Sequence, residues 1–142
     1  MPPAGRCSFI VPGDWHTPTG GFGYDRRLVM ALPAAGWSVD VQRLDADWPW
    51  PDALAQAAAE ACFAALADGS LVVVDGLAFG ALPEVVSRHA DRLRLVALVH
   101  HPLHLEPGPD AAERERLRDA EARALQAARQ VVVTSGRTAA DV

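Results

Sequence analysis

The stretch that most restricts the fold is Leu71-Val-Val-Val-Asp75-Gly76, an unbroken apolar run closed by turn-forming residues. A run this short, rich in β-branched side chains, reads as a strand, and because no position faces water it must be covered on both sides. That is the position of a strand inside a parallel sheet with helices above and below. Leu93–Val99 reads as another buried strand, and Cys7-Ser-Phe-Ile-Val11 and Val131-Val-Val-Thr134 have similar content. Trp37–Leu44 alternates apolar with polar, the pattern of a half-exposed strand.

Between the strands the apolar period lengthens to that of a helix. Tyr24, Leu28, Ala31, Leu32 and Ala35 share a helical spacing, Pro33 should kink or end that helix early, and Gly36 supplies its stop. Asp52 opens a packing helix with Ala55, Ala58, Ala59, Cys62 and Leu66 on one face, and Asp68-Gly69 closes it. Pro83 suits the first turn of a short helix reaching Arg92. Asp110 to Arg129 is a charged cover helix with Leu117, Ala120, Ala124 and Ala128 inward. Glu113–Arg116, Glu115–Arg118 and Asp119–Arg123 can pair on its outer surface, and Ser135 can cap one more helix.

Strand and helix thus alternate along the whole chain, which places it in the α/β class as a doubly wound parallel sheet with helices on both faces. Right-handed crossovers make 3-2-1-4-5 the expected strand order. With 142 residues and no repeat or linker, residues 1–142 form a single domain.

Charge and composition exclude some partners. The net charge of −5 provides no footprint for nucleic acid, and all thirteen basic residues are arginine, from which no function follows. No apolar stretch is long enough to cross a bilayer, so a cytoplasmic location is expected, with room for peripheral membrane contact. Cys7 and Cys62 read as buried, reduced thiols.

Two loops carry the unusual residues. Gly13–Tyr24, GDWHTPTGGFGY, turns the first strand into a helix and sets Gly20, Gly21 and Gly23 where that helix begins, a seat for an anion on outward N–H groups and the positive helix end. Arg26 stands where a dinucleotide fingerprint needs its third glycine, which disfavours plain NAD binding. After the fourth strand comes His100-His101-Pro102-Leu103-His104-Leu105-Glu106, dense in groups that titrate or bind metals. In the expected order strands 1 and 4 are neighbours at the switch point, so both loops border one crevice. Backbone amides at Gly21, Phe22 and Gly23 would hold an anionic group while an imidazole opposite stabilises charge or bonds a hydroxyl. Asp75-Gly76 is expected only to end its strand, and Trp48 and Trp50 either stack on a sugar or fold back over the core edge.

The order T-G-G followed by Y-D-R-R-L, G-W-x-V, V-D-G, V-H-H-P-L-x-L-E and V-V-V-T-S resembles the amino-terminal half of a family 4 glycosyltransferase of the GT-B type, over Phe9 to Val142. The resemblance implies a Rossmann-like acceptor domain that faces a nucleotide-sugar-binding domain across a cleft. It also implies retention of configuration and no bound metal or tightly held cofactor, the nucleotide sugar being substrate. By it, Gly20, Gly21, Phe22, Gly23 and Tyr24 approach the donor diphosphate. His100, with His101 as fallback, contacts the donor sugar, and Asp14, His16 and Glu106 line the side of a small-molecule or glycan acceptor. The donor domain would be the missing partner of a truncated chain, inactive by itself.

Two other readings compete. A metal-dependent hydrolase could draw on Asp14, His16, His100, His101, His104 and Glu106, although Pro102 keeps His100 and His104 off one helical face and no HExxH is present. A nucleotide- or anion-binding module without chemistry needs only the glycine-rich helix start.

Overall fold

A computed structural model describes residues 5–13, 20–105 and 108–134. Five parallel strands make one sheet: β1 (Gly5–Pro12), β2 (Trp37–Leu44), β3 (Leu71–Asp75), β4 (Arg94–Val99) and β5 (Gln130–Val133). Their order is β2-β1-β3-β4-β5, so the expected 3-2-1-4-5 is corrected: β3 stands between β1 and β4. The register pairs Phe9 with Val41 on one side and Val73 on the other, and Asp75 with Leu98. The physical reason lies in the patterns of the two strands. β3, apolar on both faces with Val72 and Val74 fully buried, needs the centre, whereas half-polar β2 tolerates an edge.

The helices are α1 (Gly20–Ala31), α2 (Ala53–Ala64), α3 (Gly76–Phe79), α4 (Pro83–His89) and α5 (Ala111–Leu125). Helix α1 packs Leu28 and Val29 against Phe9, Val11 and Leu98 on one face of the sheet. On the other face α2, α3, α4 and α5 enclose the larger core of Ile10, Phe63, Val74, Phe79, Leu95 and Val99. Both layers exist, as a doubly wound sheet requires, and the change of face falls between β1 and β3.

Local chemistry sets the ends of the elements. Pro33 stops α1 at Ala31 and starts a 3-10 turn, Pro33–Ala35, after which Gly36 takes φ 95°. Asp52 Oδ1 accepts from the Ala55 N–H at 2.8 Å and Asp110 Oδ1 from the Glu113 N–H at 2.8 Å, capping α2 and α5. The buried stripe of α2 is Ala59 and Phe63, with Ala58 exposed, because the large ring of Phe63 takes the core position. On α5, Glu121 joins Leu117 and Ala124 inside; Arg123 crosses to Glu84 of α4 at 3.1 Å rather than to Asp119. Helix α4 ends at His89 and α5 at Leu125, both short of the expected limits.

Candidate functional site

Three side chains from three elements meet at the carboxyl edge of the sheet. Asp75 ends β3, His100 follows β4, and Asp25 points inward from the second turn of α1. The His100 Nε2–H donates to Asp25 Oδ1 at 2.8 Å, and Asp75 Oδ2 lies 3.4 Å from the same nitrogen. Asp75 Oδ1 accepts from the Leu77 N–H at 2.9 Å, which makes the strand-ending aspartate the cap of α3, a helix the sequence reading left out. Both carboxylates are buried, and the imidazole is 15% exposed.

The glycines decide how α1 reaches this centre. They lie within its first turn, which lacks preceding carbonyls for its N–H groups. A Cβ on Gly21 would stand 3.0 Å from His100 Cδ2 and 3.3 Å from Cγ, so the missing side chain is what lets helix and ring touch. Tyr24 meets the same ring edge-on, centroids 5.3 Å apart. A Cβ on Gly23 would lie 3.4 Å from an Arg27 nitrogen and 3.7 Å from one of Arg26, so two guanidinium groups flank the positive end of α1. Arg26, which spoils the dinucleotide fingerprint, adds charge here instead.

The electrostatics of the cluster follow from its burial. Desolvation favours neutral Asp25 and, with Asp75 alongside, outweighs the hydrogen bond from His100, raising that carboxyl to about 7. Burial would also raise Asp75, but the His100 imidazolium 3.4 Å away, the neighbouring Asp25 and the hydrogen bond from the Leu77 N–H reverse it and hold that carboxyl below its ordinary range. For His100 burial acts against the imidazolium, yet the two aspartates prevail and lift it to about 9. Below neutrality the group therefore carries one imidazolium, one carboxylate and one shared proton, a net charge of zero. Above about 7 the proton leaves and the cluster becomes −1.

Among the expected site residues, His100, Gly21 and Tyr24 are brought together, and Gly20 and Gly23 share the same helix start. Phe22 is half-buried in that turn. Contact is made across β3 rather than between neighbouring strands. His101 is exposed and outside the cluster, whereas the His100 ring faces inward onto Asp25. Asp14, His16 and Glu106 lie outside the described residues.

Among the described residues, Asp25, Asp75 and His100 are the one group of metal-ligating side chains close enough to surround an ion, their ligand atoms within 4.8 Å of each other. Of the residues a metal-dependent hydrolase would use, His100 belongs to it while the described His101 and His104 do not; Asp14, His16 and Glu106 lie outside the described residues. Asp25 and Asp75 were missed, although Asp25 shares the i, i+3, i+4, i+7 face of Leu28, Val29 and Leu32, where a carboxylate can remain only with a partner.

No helix among the described residues is long and apolar enough to cross a membrane. Comparison with protein-family models, with curated proteins and with solved structures gives no match to this chain.

Proposed function

We propose that this chain is the acceptor-side domain of a retaining glycosyltransferase of the GT-B type, working with a nucleotide-sugar donor held largely by a second domain. The observation that supports the reading most is the contact of Gly21 with His100 at the carboxyl edge of the sheet, which joins an anion-receptive helix start to a fixed imidazole. The first turn of α1, with Arg26 and Arg27 beside Gly23, takes the negative charge of the donor diphosphate.

His100 acts by position. Its Nε2 edge is committed to Asp25 and Asp75, which lock the ring, and Tyr24 braces it from the side. An imidazolium cannot accept a proton, so His100 is no general base, and the departing phosphate of the donor serves that role. Gly20, Phe22 and His101 keep their proposed places along the donor side, and Asp14, His16 and Glu106 theirs along the acceptor side. Free Cys7 and Cys62 suit a reducing compartment, and we place the enzyme in the cytoplasm.

Amide NMR of the chain titrated with pyrophosphate, UDP, GDP and ADP tests the reading. The expected result is weak binding, a Kd of about 1 mM or more, with shifts centred on Gly21 and Gly23. No response there would overturn it. Micromolar binding to this domain alone would favour an anion-binding module without chemistry, and turnover of a nucleotide sugar by the 142-residue chain would contradict the need for a second domain.

A further inference from the structure

We infer that the loop joining β2 to α2 is a subsite for a neutral sugar ring, with Trp50 as its floor; the inference rests on reading the carboxyl edge as a sugar-transfer crevice. The loop leaves β2 at that edge, three strand spacings from β4, roughly 14 Å from the His100 centre.

Its two tryptophans have different roles. Trp48 is half-buried against the main core, and its indole N–H donates to the Leu44 carbonyl at 2.7 Å. Trp50 is 40% exposed, and among the described residues its indole N–H has no acceptor. This exposure is not the slack of a loose loop. The Trp50 backbone N–H donates to the Asp47 carbonyl at 2.7 Å, Asp52 caps α2, and Gln56 Nε2 donates to the Pro51 carbonyl at 3.3 Å. On the other side Arg43 bonds both the Gly13 carbonyl and Asp45, each at 3.1 Å, fixing the loop to the end of β1.

Trp50 lines an open cleft of about 330 Å³ with Asp45, Asp47, Asp52 and Leu54, a volume at the small end for ligand sites. Leu54 is 79% exposed and widens the apolar floor. An aromatic face ringed by acceptor-only carboxylates complements a pyranose, which offers C–H bonds on one face and hydroxyl donors around its rim. The three aspartates against one arginine repel phosphate. The crevice therefore has two regions of opposite preference: a diphosphate at the start of α1 and an uncharged sugar at Trp50. On this assignment the acceptor is a glycan or glycoside lacking an anionic group at the transferred end.

The test follows the Trp50 indole N–H by NMR while methyl glucoside, methyl galactoside and methyl mannoside are added to about 100 mM, enough to occupy a site with a Kd well above 1 mM. At least one glycoside should shift Trp50 without moving Gly21. Trp50→Phe should retain the binding, read from the surrounding amides. Trp50→Ala should weaken it at least tenfold and Asp47→Asn severalfold, with the fold checked by amide dispersion.

Absence of any response at Trp50, or tetramethylammonium shifting it when no glycoside does, overturns the assignment, the latter because the same groups would then be a cation site. Glycoside binding without any diphosphate response at Gly21 would leave the platform standing and sink the transfer reading. The reverse pattern would do the opposite.

Discussion

Asp25→Asn gives the sharpest test of the cluster, because asparagine copies the protonated aspartate. Its Oδ1 can accept from His100 Nε2 and its amide can donate toward Asp75, so the packing is retained while the titration disappears. In the wild type the carboxyl moves from an ordinary 3.8 to about 7 on folding. The folded chain therefore holds a proton that the unfolded chain releases between those values, and stability is lost as pH rises through the window. At full weight the shift corresponds to about 4 kcal/mol, and sharing of the proton with Asp75 reduces this to about 2–4 kcal/mol. Asp75 has the opposite sign, but its lowered value confines its effect to the acid side of the window. His100, raised to about 9, loses its contribution only between its ordinary 6.5 and 9. Urea unfolding from pH 4 to 7 should thus show Asp25→Asn no more stable than wild type at pH 4 and ahead of it by pH 7. Stability curves that run parallel over this range would refute the shared-proton description.

The remaining expectations use the same centre. His100→Ala leaves two buried carboxylates without their cation and should cost about 3–5 kcal/mol at pH 7.5 and less at pH 5; urea midpoints at both pH values check this. Gly21→Ala pushes a methyl group onto a ring that the aspartates hold in place and should destabilise by about 1–2 kcal/mol. Gly23→Ala meets only flexible arginine tips and should be neutral or slightly stabilising, so equal thermal shifts for the two would contradict the Gly21–His100 contact. Affinity for pyrophosphate should fall as pH rises through about 7, where the cluster changes from neutral to −1, and calorimetry at pH 6 and 8 would reveal it.

The sequence by itself determined the architecture. Side-chain period is a local property, and the change from continuous apolar strands to 3.6-residue repeats fixed five strands, their parallel sense and the helices between them apart from the four-residue α3, which is too short to show a period. Caps and breakers such as Asp52, Asp110, Pro33 and Gly36 were legible for the same reason. The expected strand order failed, because crossover handedness does not choose between the two arrangements; the signal that does is the contrast between apolar β3 and alternating β2.

The cluster was decided only in three dimensions. Asp25, Asp75 and His100 lie 50 and 25 residues apart in the chain, and nothing in their neighbours shows that their burial is mutual. Their charge states exist only together: each carboxylate is tolerable inside because the imidazole faces it, and the imidazole is charged because both carboxylates are there. The division between Trp48 and Trp50 is likewise tertiary, since two tryptophans flanking one proline look alike until the core has accepted one of them and left the other to solvent.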